Sequence, residues 1–575
     1  MSGTRPATKK TTNRSSRKTT STLPDQESPR KNAPITKQRT SLRDSARTVS
    51  RKKRSSPKAS DKPRRSPVLS PKSSSSKSRR VPSSKQALNK DAPTTVKQHR
   101  ASDGHLYEQI AQEIRQQIEH RVLQPGNRLP SVRKLSRQKG VSISTVLQAY
   151  MNLEDVGVIE ARPQSGYYVR QQFRNLPPEP SILRFAPKPT PVKNVVTLVE
   201  DLINTYQYSD FVPLGAAMPA PDLLPVTKIS KLYASLARSE MHKIARYEHP
   251  TGNVELRRQI VLRAMDWGGL FAPDDVITTG AATEALTLCL RAVAGEGDTI
   301  AVESPCYFGI LRVIEGLGMK ALEIPTDPKS GISLRSLEPV MRKRQVKAIV
   351  VVANFSNPLG CCMPDANKAR LAALAAEHEI PVIEDDVYGE IYFSLKRPRP
   401  LKAFDNEGWV MLCDSFSKTV SPGLRVGYTI PGRFYENVYR LKIASTLASP
   451  TLPQLVMAKF LQTGGYEHQM RALRKAFSVQ IQKTIAAVGE YFPEGTKVTR
   501  PTGGFVVWVE CPAKLDAIML HGEAMRKKIS IAPGPAFSKT DQYNHFIRLN
   551  CGYPWTERLE DAMKTLGGLA ADLCG

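Results

Sequence analysis

The chain has 575 residues, 84 Lys+Arg against 53 Asp+Glu, and a formal net charge of +31. At roughly 150 residues per unit that length excludes a single small domain and predicts three or four units. The eight cysteines all lie from Cys289 onward without CxxC or Cys/His ligand spacing, which predicts reduced intracellular thiols and no metal site. With no secretory leader and no apolar run near the roughly 20 residues of a membrane helix, a soluble cytoplasmic protein is expected.

Residues 1–100 hold 28 Lys+Arg against 5 Asp+Glu and no Phe, Tyr or Trp. A Ser/Thr/Pro/Lys/Arg segment of this kind buries too little apolar surface to offset its conformational entropy, so a disordered basic tail is expected. Arg51-Lys52-Lys53-Arg54 and the turns Ser28-Pro29-Arg30-Lys31, Ser56-Pro57-Lys58 and Ser70-Pro71-Lys72 resemble basic tails of chromatin-type proteins. Such a polycation anchors to DNA by counterion release without reading sequence. The other readings are a solvated tail without a specific partner and a start codon placed too early.

Over 101–172 the periodicity predicts three helices and a hairpin. Tyr107, Ile110, Ile114, Ile118 and Val122 share one face of a first helix, ended by Pro125-Gly126. Ser131 caps a second helix with Val132 and Leu135, Gly140 turns into a third, and Val146, Tyr150 and Leu153 face inward before Gly157. Val158–Ala161 and Tyr167–Val169 flank the turn Arg162-Pro163-Gln164-Ser165-Gly166 as a wing. This is a winged helix-turn-helix, a fold whose third helix enters the major groove of double-stranded DNA.

Leu129–Ser136 and Val141–Val146 resemble the DNA-binding domain of GntR-family regulators. The resemblance implies that Arg133, Ser144 and Thr145 face DNA and that Gly166 lies at the wing tip near the minor groove. Ile143 stands where some relatives have arginine, which implies a different base sequence.

Residues 173–208, with Pro177-Pro178-Glu179-Pro180 and Pro187-Lys188-Pro189-Thr190-Pro191, read as a stiff linker able to carry the reader toward a partner subunit. From 209 to 575 short apolar strands alternate with helical patterns: 276–279, 299–303, 348–352, 381–384 and 410–413. Strands buried on both faces and separated by helices predict a mostly parallel α/β sheet with ligands at the strand ends.

Distinctive residues stand after those strands. Gly280-Ala281-Ala282-Thr283 opens a helix whose free amides suit a phosphate. Asn357-Pro358-Leu359-Gly360, Asp385-Asp386-Val387-Tyr388 and Ser415-Phe416-Ser417-Lys418 with Arg425 follow three others. An amine for an aldehyde, a carboxylate for a ring nitrogen and anion donors for a phosphate together suit pyridoxal 5'-phosphate.

These ordered motifs resemble fold-type I, class I/II aminotransferases across 210–575, and the whole chain resembles the MocR-type subgroup of GntR regulators. The resemblance implies a smaller C-terminal α+β subdomain and assigns roles. Lys418 takes the cofactor aldehyde, and Asp385 pairs with the pyridine nitrogen. Asn357 and Tyr388 bond the phenolic oxygen, and Tyr307 lies against the ring. Ser415, Ser417, Arg425 and the backbone of Ala281, Ala282 and Thr283 hold the phosphate. Tyr247, in Tyr247-Glu248-His249-Pro250-Thr251-Gly252, reaches it from the other subunit of a homodimer. Arg548, in Phe546-Ile547-Arg548-Leu549-Asn550, clamps an α-carboxylate with a planar fork that lysine lacks.

The fusion of reader and cofactor-type lysine implies a nucleoid-associated transcription regulator that senses an amine, an amino acid or the cofactor itself. The alternative is a working aminotransferase that carries a DNA-binding module. A third reading is an architectural factor dominated by its basic tail.

Overall fold

The computed structural model describes residues 106–120, 122–155, 158–162, 165–170, 176–187, 189–190, 200, 204–205, 210–394 and 396–575. The basic tail, Gly157, Pro163 and Gln164 lie outside the described residues, as does much of the expected linker.

The winged helix consists of α1 (Leu106–Glu119), α2 (Val132–Lys139), α3 (Ile143–Asp155), β1 (Ile159–Arg162) and β2 (Gly166–Val169). Ile110, Ile114 and Ile118 of α1 pack on Val146, Tyr150 and Leu153 of α3. Ser131 caps α2 by accepting from the Lys134 N–H at 3.3 Å. Gly140 ends it in the left-handed region at φ 65°, a conformation glycine adopts without a Cβ clash. The hairpin pairs Ile159 with Val169 and Arg162 with Gly166.

Two expectations for α1 are corrected. The helix stops at Glu119, well before Pro125-Gly126, and Val122 is 69% exposed. Val122 and Leu123 both turn their N–H groups back to the Gln117 carbonyl, and Leu123 packs against the core instead. The chain leaves the helix there because the next residues extend the wing. Gly126 donates to Val169, Val169 to Asn127 and Leu129 to Tyr167, each at 2.8 Å.

The large sheet contains β3 (Pro189–Thr190), β5 (Ile277–Thr279), β6 (Thr299–Ser304), β7 (Lys320–Asp327), β8 (Gly331–Ile332), β9 (Ala348–Val351), β10 (Val382–Asp385), β11 (Val410–Ser415) and β12 (Gly427–Ile430). Its order is β3-β7-β6-β9-β10-β11-β12-β5, with β8 beside β7. The central neighbours β7, β6, β9, β10 and β11 run parallel, and β12 is antiparallel to both of its neighbours. Pro189–Thr190, inside the expected linker, forms the edge strand on β7.

Alternate residues of one strand serve two cores, which is why these strands read as continuous apolar runs. Val350 and Val352 join the core that holds α4 (Ala282–Val293), whereas Ile349 and Val351 join that of α6 (Asp365–His378). Between them in sequence lies α5 (Phe308–Gly316). Full burial stabilises each such side chain by about 1.5–3 kcal/mol.

The smaller α+β subdomain has β13 (Lys497–Val498), β14 (Val506–Glu510), β16 (Ala532–Pro533) and β17 (Phe546–Asn550) in the antiparallel order β13-β14-β17-β16. Packed on this sheet are α7 (Gly465–Tyr491), α8 (Ala517–Arg526) and α9 (Glu557–Cys574), through Ile485, Leu520 and Met563. A short pair, β4 (Val212–Pro213) with β15 (Ile529–Ser530), ties the entering chain to it. Among the described residues no helix is long and apolar enough to cross a membrane.

Candidate functional site

The ends of five strands meet at one cleft of about 210 Å³. After β5 the chain turns at Ala281, whose φ is 81°, and enters α4 at Ala282. The amides of that first turn have no intrahelical acceptor and point the positive end of the helix at the cleft. Glu284 braces the turn by accepting from the Gly280 N–H, from Lys442 at 2.9 Å and from Thr446 at 2.7 Å. Strand β12 passes close behind: a Cβ at Gly427 would lie 2.6 Å from the Ala281 backbone.

Ala281, Ala282, Thr283, Tyr307, Asn357, Asp385, Tyr388, Ser415, Ser417, Lys418 and Arg425 all line this cleft. Asn357 donates to the Tyr388 hydroxyl at 3.3 Å. Arg425 lies exposed at the rim and donates to the Gly280 carbonyl at 3.2 Å. Tyr307 immediately precedes α5, and a Cβ at Gly309 would lie 2.4 Å from its ring, so the glycine leaves the ring room. Tyr247 is outside the cleft and 89% exposed.

Burial dominates the electrostatics. It lowers the Lys418 amine to about 8, helped by Arg548 and Arg425 and opposed by Asp385. It raises the Asp385 carboxyl to about 7, although the Val387 N–H and Lys418 pull the other way. Burial also pushes the Tyr307 and Tyr388 phenols upward. Asp385 Oδ1 and Ser417 Oγ are buried without a hydrogen-bond partner, at a cost of about 1–3 kcal/mol for each such polar group. A protonated ring nitrogen for the first and a phosphate for the second are the partners they fit, so the residues present suit pyridoxal phosphate.

Arg548 lies on β17 opposite Trp508 and Ala532, fully buried. It donates to Asn357 at 3.4 Å and to the Gly215 carbonyl, while its Nε has no partner. Burial draws its guanidinium down to about 10, against the pull of Tyr388 and Tyr307.

Sequence reading missed the strap that covers these cations. Residues 214–218 bring the Gly215 carbonyl to Arg548, and the Ala217 carbonyl to the Lys418 amine at 2.7 Å with Met218 Sδ at 3.3 Å. Asn550 fixes the strap by donating to the Pro213 and Met218 carbonyls at 3.0 and 3.1 Å. Main-chain carbonyls leave no mark in a sequence. Arg397 was missed for another reason: its partner Asp386 at 2.6 Å became visible only in three dimensions. Asn354 holds the same carboxylate at 2.8 Å, so the residue beside Asp385 is clamped from two sides.

On the winged helix, Arg133 is exposed on α2, and Ser144 and Thr145 lie in the first turn of α3. Their hydroxyls are each 2.7 Å from Ser142 Oγ. Gly166 has φ 106° and lies over the Arg128 side chain. No acidic residue occurs in α2, whereas Arg133, Lys134, Arg137 and Lys139 do.

A doubly covered, mostly parallel sheet with an amine, a carboxylate and a helix N-terminus at its strand ends defines an aminotransferase-like domain, here preceded by a winged helix. The family model for class I and II aminotransferases matches residues 210–566, and that for bacterial regulatory proteins of the gntR family matches 106–169. The chain belongs to the class I and II aminotransferase family and carries a gntR-family domain before it, the pairing of MocR-type regulators. That aminotransferase fold is in general dependent on pyridoxal phosphate.

The chain is 37% identical to the uncharacterized HTH-type transcriptional regulator YjiR of Escherichia coli (strain K12), over 80% of this chain and 98% of YjiR. Among solved structures it is similar to the kynurenine aminotransferase of Pyrococcus horikoshii, at 28% identity and TM-score 0.61, covering 65% of this chain and 94% of that one. It is also similar to the α-aminoadipate aminotransferase LysN of Thermus thermophilus, solved with N-(5'-phosphopyridoxyl)-L-leucine. There the identity is 26% and the TM-score 0.61, over 65% of this chain and 95% of LysN.

Proposed function

We propose that this chain is a DNA-binding transcription regulator that holds pyridoxal phosphate at Lys418 and responds to an amine or amino acid. The observation that carries the reading is one cleft joining a buried amine, drawn down to about 8, with a buried carboxylate oxygen that has no partner. The relation to YjiR along nearly its whole length supports the regulatory role.

When bound, the cofactor supplies an aldehyde that amines compete for and a protonated ring that withdraws electrons. Near pH 8 about half of the Lys418 amines are uncharged and nucleophilic, against well under about 1% for an ordinary lysine. Asp385 keeps the ring nitrogen protonated, and Asn357 with Tyr388 orients the phenolic oxygen. Ser415, Ser417, Arg425 and the Ala281–Thr283 amides hold the phosphate. Tyr247 completes that set from a partner subunit: Met241, Ile244 and Tyr247, spaced three apart among His242, Lys243 and Arg246, are all exposed, which supports a homodimer.

With pyridoxal phosphate bound, Lys418 would hold its aldehyde, the group for which an effector amine would compete, and Arg548 would offer an effector carboxylate the guanidinium that now donates to the Gly215 carbonyl. Response requires different affinities in the two states of the strap and subdomain, because an effector bound equally in both shifts nothing.

The test is the visible spectrum of the full chain with pyridoxal phosphate, titrated with amines and amino acids. A visible absorption band, that of a cofactor aldehyde bonded to lysine, is expected, with its loss in Lys418→Ala. No band after adding the cofactor refutes the assignment. A second reading, an active aminotransferase, is favoured by the retained set of Lys418, Asp385 and Arg548, since a freed Lys418 amine near neutrality can move the substrate's Cα proton. Ligand-dependent DNA binding without turnover of amino and keto acid pairs supports the regulator, and robust turnover supports the enzyme.

A further inference from the structure

Helix α3 uses its inner face completely: Val146, Ala149, Tyr150 and Leu153 are at most 1% exposed. On the outer face Ile143 and Leu147 remain 52% and 40% exposed, one turn apart. They are surplus to the core, and an isoleucine and a leucine held in water there forgo the free energy of burial.

Their surroundings are those of a nucleic-acid surface. They share the N-terminal half of the helix with Ser144 and Thr145, and the preceding helix has four cations and no acid. A protein partner with an apolar face would have to approach through uncompensated charge, whereas a duplex brings phosphates to it. Met151 continues the stripe, but toward the end of α3 where Glu154 pairs with Lys475 of α7 at 2.8 Å, on the side away from the helix N-terminus.

We infer that Ile143 and Leu147 read thymine by contact with its 5-methyl group in the major groove. Thymine alone among the four bases places a methyl there. Side chains four residues apart on a helix stand about 5–6 Å apart at Cβ, and stacked bases about 3.4 Å, so the two methyls belong to thymines one or two steps apart in each half-site. The inference rests on the DNA-binding reading above and adds the chemistry of what is read.

The test begins with the purified full chain and a random duplex pool, from which bound sequences are enriched. Each thymine of the winning duplex is then replaced singly by deoxyuridine, which removes only the methyl. At two nearby thymines per half-site the affinity should fall about fourfold, the worth of one buried carbon. Ile143→Ala and Leu147→Ala, both at exposed positions, should each erase the deoxyuridine effect at one thymine and leave the other intact.

Enrichment of a sequence that tolerates deoxyuridine everywhere overturns the methyl contact while leaving DNA binding in place. Alanine variants that change the oligomeric state and not the deoxyuridine response overturn it as well. No enrichment at all overturns DNA reading itself, and the methyl contact with it.

Discussion

Replacing Asp385 by Asn should stabilise the cofactor-free protein and weaken its hold on pyridoxal phosphate, two effects of opposite sign from one substitution. Burial raises the Asp385 carboxyl from its ordinary value near 3.8 to about 7, and one buried oxygen has no partner. Between those values the folded chain keeps a proton that the unfolded chain has lost. The stability this group contributes is therefore fully present below pH ~3.9 and is lost as pH rises through about 7. At about 1.36 kcal/mol per pH unit the loss reaches about 4 kcal/mol above neutrality. Asn stays neutral at every pH and still accepts from the Val387 N–H, so it avoids that loss. It also deprives Lys418 of a favourable charge, so the gain is smaller than the full figure, about 2–3 kcal/mol.

The assay is urea unfolding of cofactor-free wild type and Asp385→Asn, followed by fluorescence at pH 5 and pH 8. The variant should lead at pH 8 by that amount and by much less at pH 5. With pyridoxal phosphate present the order should invert, because the ring N–H gives the carboxylate its missing partner. A difference independent of pH, or a variant less stable at pH 8 without cofactor, refutes the account of the site.

Arg548→Gln should weaken binding of amino acid effectors by about 2–4 kcal/mol, roughly 30- to 1000-fold, while amines without a carboxylate bind about as before; calorimetric titration with matched amine and amino acid pairs checks this. Tyr247→Phe should leave folding unchanged, since the side chain is 89% exposed in its own chain, but, if it reaches the cofactor from a partner subunit as proposed, lower cofactor affinity about fivefold, measured by equilibrium dialysis of the full chain. Deleting residues 1–100 should reduce the slope of log affinity for DNA against log salt, and an unchanged slope excludes phosphate contacts by the tail.

Much of the fold was legible because its signals are local. The apolar runs at 299–303, 348–352 and 410–413 became β6, β9 and β11, and Ser131 and Gly140 marked both ends of α2. The cleft was legible because each of its groups follows a strand that the pattern already located. Val122 failed for a physical reason: its spacing continues the helical period, but no glycine or proline marks the exit after Glu119, and bonds to the wing decide where the helix stops. The strap failed because Gly215 and Ala217 act through carbonyls alone. Strand β12 was not read at all, since Gly427-Tyr428-Thr429-Ile430 is too short and too polar to stand out as an apolar run. Arg397 looks like any surface cation in a Pro-rich loop until Asp386 and Glu390 are seen beside it at 2.6 and 3.0 Å.

The expected linker is attached much earlier than its length implies. Arg500 and Val498 donate to the carbonyls of Pro177 and Pro178 at 2.8 and 2.9 Å, and Thr190 is already part of the large sheet. Between Arg170 at the end of the wing and Pro177 the backbone can span at most about 25 Å. A reader on so short a leash cannot search for its half-site independently of the body that carries it. In the homodimer proposed above, the distance between two half-sites on an operator would then be a dimension of the aminotransferase-fold body, and a shift of that body would change which DNA fits.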